Sequence, residues 1–69
     1  MGRYIYVQAL VNKNDADYPG DAGLLSFRHA EVSASSEDSA YDAGHQWWKE
    51  NPLPEYASSV ANDYVIKVD

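Results

Sequence analysis

Three aspartates, Asp15, Asp17 and Asp21, crowd into the stretch NDADYPGDAG with Tyr18, Pro19, Gly20 and Gly23. Carboxylates at that density raise the question of calcium, whose EF-hand loop needs oxygen ligands at positions 1, 3, 5 and 12 and glycine at 6. Counting from Asp15 puts Asp17 at position 3 and Gly20 at position 6. Pro19 then falls at position 5 and Ser26 at position 12, so two oxygen ligands are lost, including the bidentate one. No helix flanks the stretch, and a calcium loop is not implied. A strand connector accounts for the same residues. Asn and Asp start turns through side-chain hydrogen bonds, Pro19 presets φ, and Gly20 and Gly23 accept left-handed geometry. At about twelve residues the connector is long, and loops of that length usually have a task or are solvated and free. Two readings stand: a solvated connector, or a contact loop with Tyr18 as aromatic anchor among Asp15, Asp17 and Asp21.

Other chemistry finds no pattern to support it. His29 and His45 are the only histidines, one in a strand segment and one in a helical segment. Neither has a serine or threonine in a nucleophile context, as a hydrolytic relay would need. His29, His45 and acids such as Asp42 lack the spacing of a metal site. Carboxylate pairs can be drawn freely from eleven acids, which is why drawing one means little. There is no glycine-rich phosphate loop, and so short a chain has little volume for a closed pocket. The expectation is a protein that is not an enzyme, with no catalytic residues, no cofactor and no metal.

Sixty-nine residues make a single small domain, residues 1–69, near the lower limit for a core without staples. Cysteine is absent, which excludes disulfides and fits a reducing, cytoplasmic setting. No apolar run nears the roughly 20 residues that span a bilayer, and MGRYIYV lacks a signal-peptide pattern, so no membrane association is expected. Eleven acidic against five basic residues leave a net charge of −6. That balance opposes direct nucleic-acid binding, which needs a concentrated basic surface. It suits a protein that competes for someone else's basic groove.

The elements that must position these residues follow from periodicity. RYIYVQALV, 3–11, is β-branched and aromatic and reads as a strand. Ile5, Val7, Ala9 and Val11 form a fully apolar face, expected to meet the core; Tyr4, Tyr6, Gln8 and Leu10 form the other. A second strand covers 24–35, where apolar residues change parity between Phe27 and Ala30. A bulge near His29 would explain that. Ser35 or Ser36 then caps a helix with Glu37 and Asp38 in its first turn. Ala40, Ala43, Gly44, Trp47 and Trp48 make its apolar stripe. Successive helical residues point about 100° apart, so one tryptophan belongs to the core and the other to its boundary. Asn51 and PLP end the helix. A short turn from Pro54 and a last strand, DYVIKVD, close the chain.

The order β-β-α-β implies an α+β fold: a three-stranded antiparallel sheet with one helix packed on one face. The last strand pairs beside the first. One sheet face is left open, and Tyr4 and Tyr6 are expected on it.

The joint VSASSEDSAYDAG carries Ala34, Ser36, Asp38, Ala40 and Asp42 at the helix entry, followed by an aromatic helix end and the strand YVIKV. This resembles a pattern in small phage-encoded β-β-α-β inhibitor proteins, of the host RNA polymerase inhibitor or anti-defence type. The resemblance implies a class: small acidic proteins, not enzymes, that bind and block a larger host protein or protein–nucleic-acid complex. It carries over no functional residues. From the residues themselves, the expected contacts are Asp15, Asp17, Tyr18 and Asp21 of the loop, with Tyr4 and Tyr6. The alternative is a self-associating module, a homodimer built on the open sheet face or an edge strand.

Overall fold

The computed structural model describes residues 2–13 and 25–69. Four elements follow in order: β1 (Gly2–Asn12), β2 (Leu25–Ala34), α1 (Glu37–Glu50) and β3 (Ala57–Lys67). The strands form one antiparallel sheet in the order β2-β1-β3. β1 is therefore central, and α1 carries the chain over one face so that β3 can pair on β1's free side.

Local chemistry sets the helix ends. Ser36 is the N-cap: its Oγ accepts from the Ser39 N–H at 3.2 Å, and the Ser36 N–H donates to Ser39 Oγ at 3.0 Å. This reciprocal capping box satisfies two donors that would otherwise be orphaned. At the far end the Asn51 N–H donates to the Trp48 carbonyl at 3.1 Å. The Asn51 side-chain amide donates to the Trp47 carbonyl at 2.9 Å. Pro52 and Pro54 prevent continuation, and the Ala57 N–H closes a turn on the Pro54 carbonyl at 3.0 Å.

Two strand expectations need correction. The β1–β2 ladder runs unbroken from Gly2↔Ala34 to Val11↔Leu25, so there is no bulge near His29. Parity changes in β2 because both its faces carry apolar residues: Leu25 and Phe27 on one, Ala30, Val32 and Ala34 on the other. The irregularities sit in β3, with register shifts between Ala9 and Leu10 and between Val11 and Asn12 that leave Ala61 and Ser58 as extra residues. β3 also starts at Ala57 rather than Asp63. Its early half, ASSVAN, is poor in strand-forming residues, and pairing along β1 overrides that propensity.

The faces are the reverse of the expectation. Tyr4 and Tyr6 lie under the helix, with 7% and 0% of their surface exposed. Tyr4 packs with Ala34 and Ala40, flanked by Val32 and Val65. Tyr6 lies against Gly44 so closely that a Cβ there would overlap its ring. The reason is steric: Ala40 and Gly44 leave a slot against the sheet, and close packing requires large side chains to fill it. Ile5 and Val7 would be too short to reach.

Candidate functional site

With the even-numbered side chains of β1 committed to the helix, the odd ones define the opposite face. Cross-strand register sets Ile5 between Glu31 and Ile66, Val7 between His29 and Tyr64, and Ala9 between Phe27 and Asn62. Val11 lies between Leu25 and Ser59. Val7 and Ala9 are buried. The flanking residues stand open: Phe27 is 61% exposed, Leu25 53%, Ile66 48% and Tyr64 38%. No described residue forms a layer over them, since α1, the one helix among the described elements, packs on the other side. Strand spacing and rise give such a face about 500 Å², comparable with the largest apolar patch of a typical monomer.

The charged groups of this face neutralise one another at one end. Arg3 Nε donates to Asp69 Oδ2 at 3.1 Å, its backbone N–H donates to Asp69 Oδ1 at 3.0 Å, and its Nη1 lies 3.8 Å from Glu31 Oε1. The side chains are more than half exposed, so the pairs orient the rim more than they stabilise it.

Beneath the helix lies a polar network. Tyr6 Oη donates to Asp63 Oδ2 at 2.8 Å and accepts from Gln8 Nε2 at 3.0 Å. Gln8, fully buried, accepts from Arg28 Nε at 2.7 Å. Arg28 Nη1 donates to the Pro52 carbonyl at 3.1 Å, and its guanidinium lies 4.5 Å above the Trp47 ring. Arg28 Nη2 is buried without a partner among the described residues; burial pulls the guanidinium below its ordinary value, and the cation–π contact offsets part of that cost. His45 Nε2 completes the set, 2.9 Å from Asp63 Oδ2.

The chemistry of this network is that of a fastener between α1 and the sheet. Burial, then hydrogen-bonding to Asp63, pushes the Tyr6 phenol up to about 12, so it stays protonated and donating across the physiological range. Burial alone would raise Asp63, but hydrogen bonds from Tyr6 and His45 outweigh it and hold the carboxyl below its usual value. A general base or nucleophile needs a pKa near its working pH, and Tyr6 is moved the other way. Among the described residues no three His, Asp or Glu side chains gather as a group that could hold a metal, and no helix is long and apolar enough to cross a membrane.

Of the residues singled out in the sequence, Asp15, Asp17, Tyr18 and Asp21 lie outside the described residues. Tyr4 and Tyr6 are core rather than contact residues. Both tryptophans are half-buried: Trp47 meets Tyr6 edge-on, and Trp48 meets His45. Leu25, Phe27, Tyr64 and Ile66 are the large apolar side chains that stand exposed on the open face. For Leu25 and Phe27 the signal was the parity change in β2, which marks a second apolar face. Comparison with protein-family models, curated proteins and solved structures returns no match to this chain.

Proposed function

We propose that this chain is a small protein-binding module that docks through its open sheet face and acts as an inhibitor or modulator of a larger protein or protein–nucleic-acid complex. The reading rests on one observation: Leu25, Phe27, Tyr64 and Ile66 stand exposed on a sheet face that no described element covers. Exposed aromatic and aliphatic anchors of this kind supply the desolvated centre of an interface. The net charge of −6 specifies the occupant's chemistry, an apolar surface rimmed by Lys and Arg such as borders a nucleic-acid groove. Opposite potentials steer such an encounter and set its salt dependence. Asp15, Asp17 and Asp21, on the segment joining Lys13 to Leu25, are the carboxylates proposed to meet that rim, and the resemblance to phage inhibitors points the same way.

The test places a photo-crosslinking amino acid at Phe27, or at Glu37 on the helix, and exposes the tagged protein to bacterial lysate. A discrete adduct from position 27 and none from 37 is expected. Its yield should fall with added salt and with Asp15→Asn/Asp17→Asn/Asp21→Asn. Equal adducts from both positions, or a yield indifferent to salt and to the triple substitution, overturns the reading.

A further inference from the structure

Both β2 and β3 are edge strands, and they differ. β3 is bulged at two places, which twists a strand and spoils its outer row of hydrogen-bonding groups. β2 keeps regular pairing along its whole length and contains neither proline nor lysine, the residues that commonly blunt an edge. Its one cation, Arg28, is turned under the helix and held by Gln8 and Pro52.

The direction of β2's free groups can be worked out. The Arg3 carbonyl accepts from Val68, the Lys13 N–H donates to Tyr56, and the Val11 carbonyl accepts from Ser58. Odd-numbered residues of β1 thus bond toward β3 and even-numbered ones toward β2. An antiparallel strand alternates its bonding sides, so in β2 the even residues bond inward. Phe27, His29, Glu31 and Ser33 aim their N–H and C=O groups at the open edge, where no described residue pairs with them.

We propose that two copies of the chain join edge to edge through β2, antiparallel about a two-fold axis at Ala30, to form one continuous six-stranded sheet. The register follows from hydrogen-bonding complementarity. An axis at Ala30 sets His29 opposite the partner's Glu31, twice by symmetry, and Phe27 opposite the partner's Ser33. An axis at His29 would instead set histidine against histidine. An imidazole N–H can donate to a facing carboxylate, and complementary cross-strand pairs stabilise an antiparallel ladder where two carboxylates would destabilise it. Glu31 is free to take part, because its contact with Arg3 is long and exposed. A two-fold axis normal to the sheet keeps both helices on one side. It merges the two open faces into one of about 1,000 Å², the size class of a specific interface. The pairing deepens the docking proposal but does not depend on it.

Light scattering coupled to size exclusion, over a concentration series of the full chain, tests the pairing. The wild type should form a dimer. His29→Glu sets carboxylate against carboxylate at both symmetric sites and should weaken the dimer about tenfold or more, with the far-UV spectrum unchanged. His29→Lys should retain it, and His29→Glu combined with Glu31→Lys should restore it. Phe27→Thr/Ile66→Thr, which strips the open face, should leave the dimer intact while removing docking, so the two proposals fail separately. A wild type monomeric at millimolar concentration overturns the pairing. So does a folded His29→Glu variant as dimeric as the wild type, or a dimer lost only in Phe27→Thr/Ile66→Thr.

Discussion

The two faces of β1 differ in a direction opposite to habit. Antiparallel sheets with one covered face usually bury an apolar side and present a polar one to water. Here the covered face holds Tyr6, Gln8, Arg28 and Asp63 in a bonded chain. The uncovered face is mainly Ile5, Val7, Ala9 and Val11 with Phe27, Leu25, Tyr64 and Ile66 beside them. On the covered side the small helix residues Ala40 and Gly44 bring the backbones close, and only long side chains with polar tips fill the slot and reach each other. On the uncovered side nothing within the described chain uses the apolar area. The inversion teaches that, among the described residues, the sheet is covered on one side and open on the other. Stability should reside in the first and association in the second.

The hardest blow to that division is Gly44→Ala. Helix propensity alone favours alanine by about 1 kcal/mol. The new methyl group would fall within the Tyr6 ring, and overpacking of that kind costs about 3 kcal/mol or more. The clash should win by about 2 kcal/mol, lowering the melting temperature by about 8–16 °C in a domain this small. A melting temperature equal to or above the wild type would break the account of the slot.

Tyr6→Phe keeps the ring and removes both hydroxyl bonds, for an expected loss of about 1–2 kcal/mol in denaturant titrations. It also probes pH. The folded-state pKa of Tyr6, about 12, lies above the roughly 10 of an unfolded chain. Its contribution is therefore intact below pH 10 and lost as pH rises toward 12. The wild type should lose stability across that window, and Tyr6→Phe should lose distinctly less. Superimposable alkaline limbs would remove Tyr6 from the fastener.

Asp63→Asn addresses the same network from the acid side with a smaller effect, about 1 kcal/mol at neutral pH, since an amide oxygen still accepts from Tyr6. The carboxyl is held below its unfolded value. Its contribution is thus present above about pH 3.9 and lost as pH falls through the folded-state value. The variant should show a shallower acid limb than the wild type; an identical one would mean that Asp63 does not stabilise the fold through its charge.

The order of elements was legible because each signal was local: a capped, acidic helix start at Ser36, a stop at Asn51 and Pro52, and strand-forming residues in 3–11. The assignment of faces was not. Both parities of β1 are apolar, and hydropathy ranks Ile and Val above Tyr. The deciding information lay in a different element, in the small size of Ala40 and Gly44, and complementarity across elements is weakly visible in a strand's own pattern. β3's first half was hidden for a related reason, since ASSVAN forms a strand through pairing with β1 rather than through propensity. The open face was written in plain sight as the odd-numbered Leu25 and Phe27. Apolar residues on both faces of an edge strand were read as a bend when they marked two surfaces.

The smallest effect on stability is the sharpest test of the comparison. Phe27→Thr/Ile66→Thr replaces two exposed apolar side chains with one that keeps β-branching and strand propensity. Neither residue touches the helix, and neither belongs to the bonded chain beneath it. Unfolding free energy should change by less than about 1 kcal/mol, while the adduct from a photo-crosslinker placed at Tyr64, exposed on the same face, disappears. Each half of that outcome can fail alone. A large loss of stability would mean that the open face carries folding energy and that the fold was not finished by the helix. An unchanged adduct would mean that the partner reads the acidic segment around Asp15, Asp17 and Asp21 and not the sheet. Stability held while docking is lost is the combination that only an interface built on a stable, one-sided sheet produces.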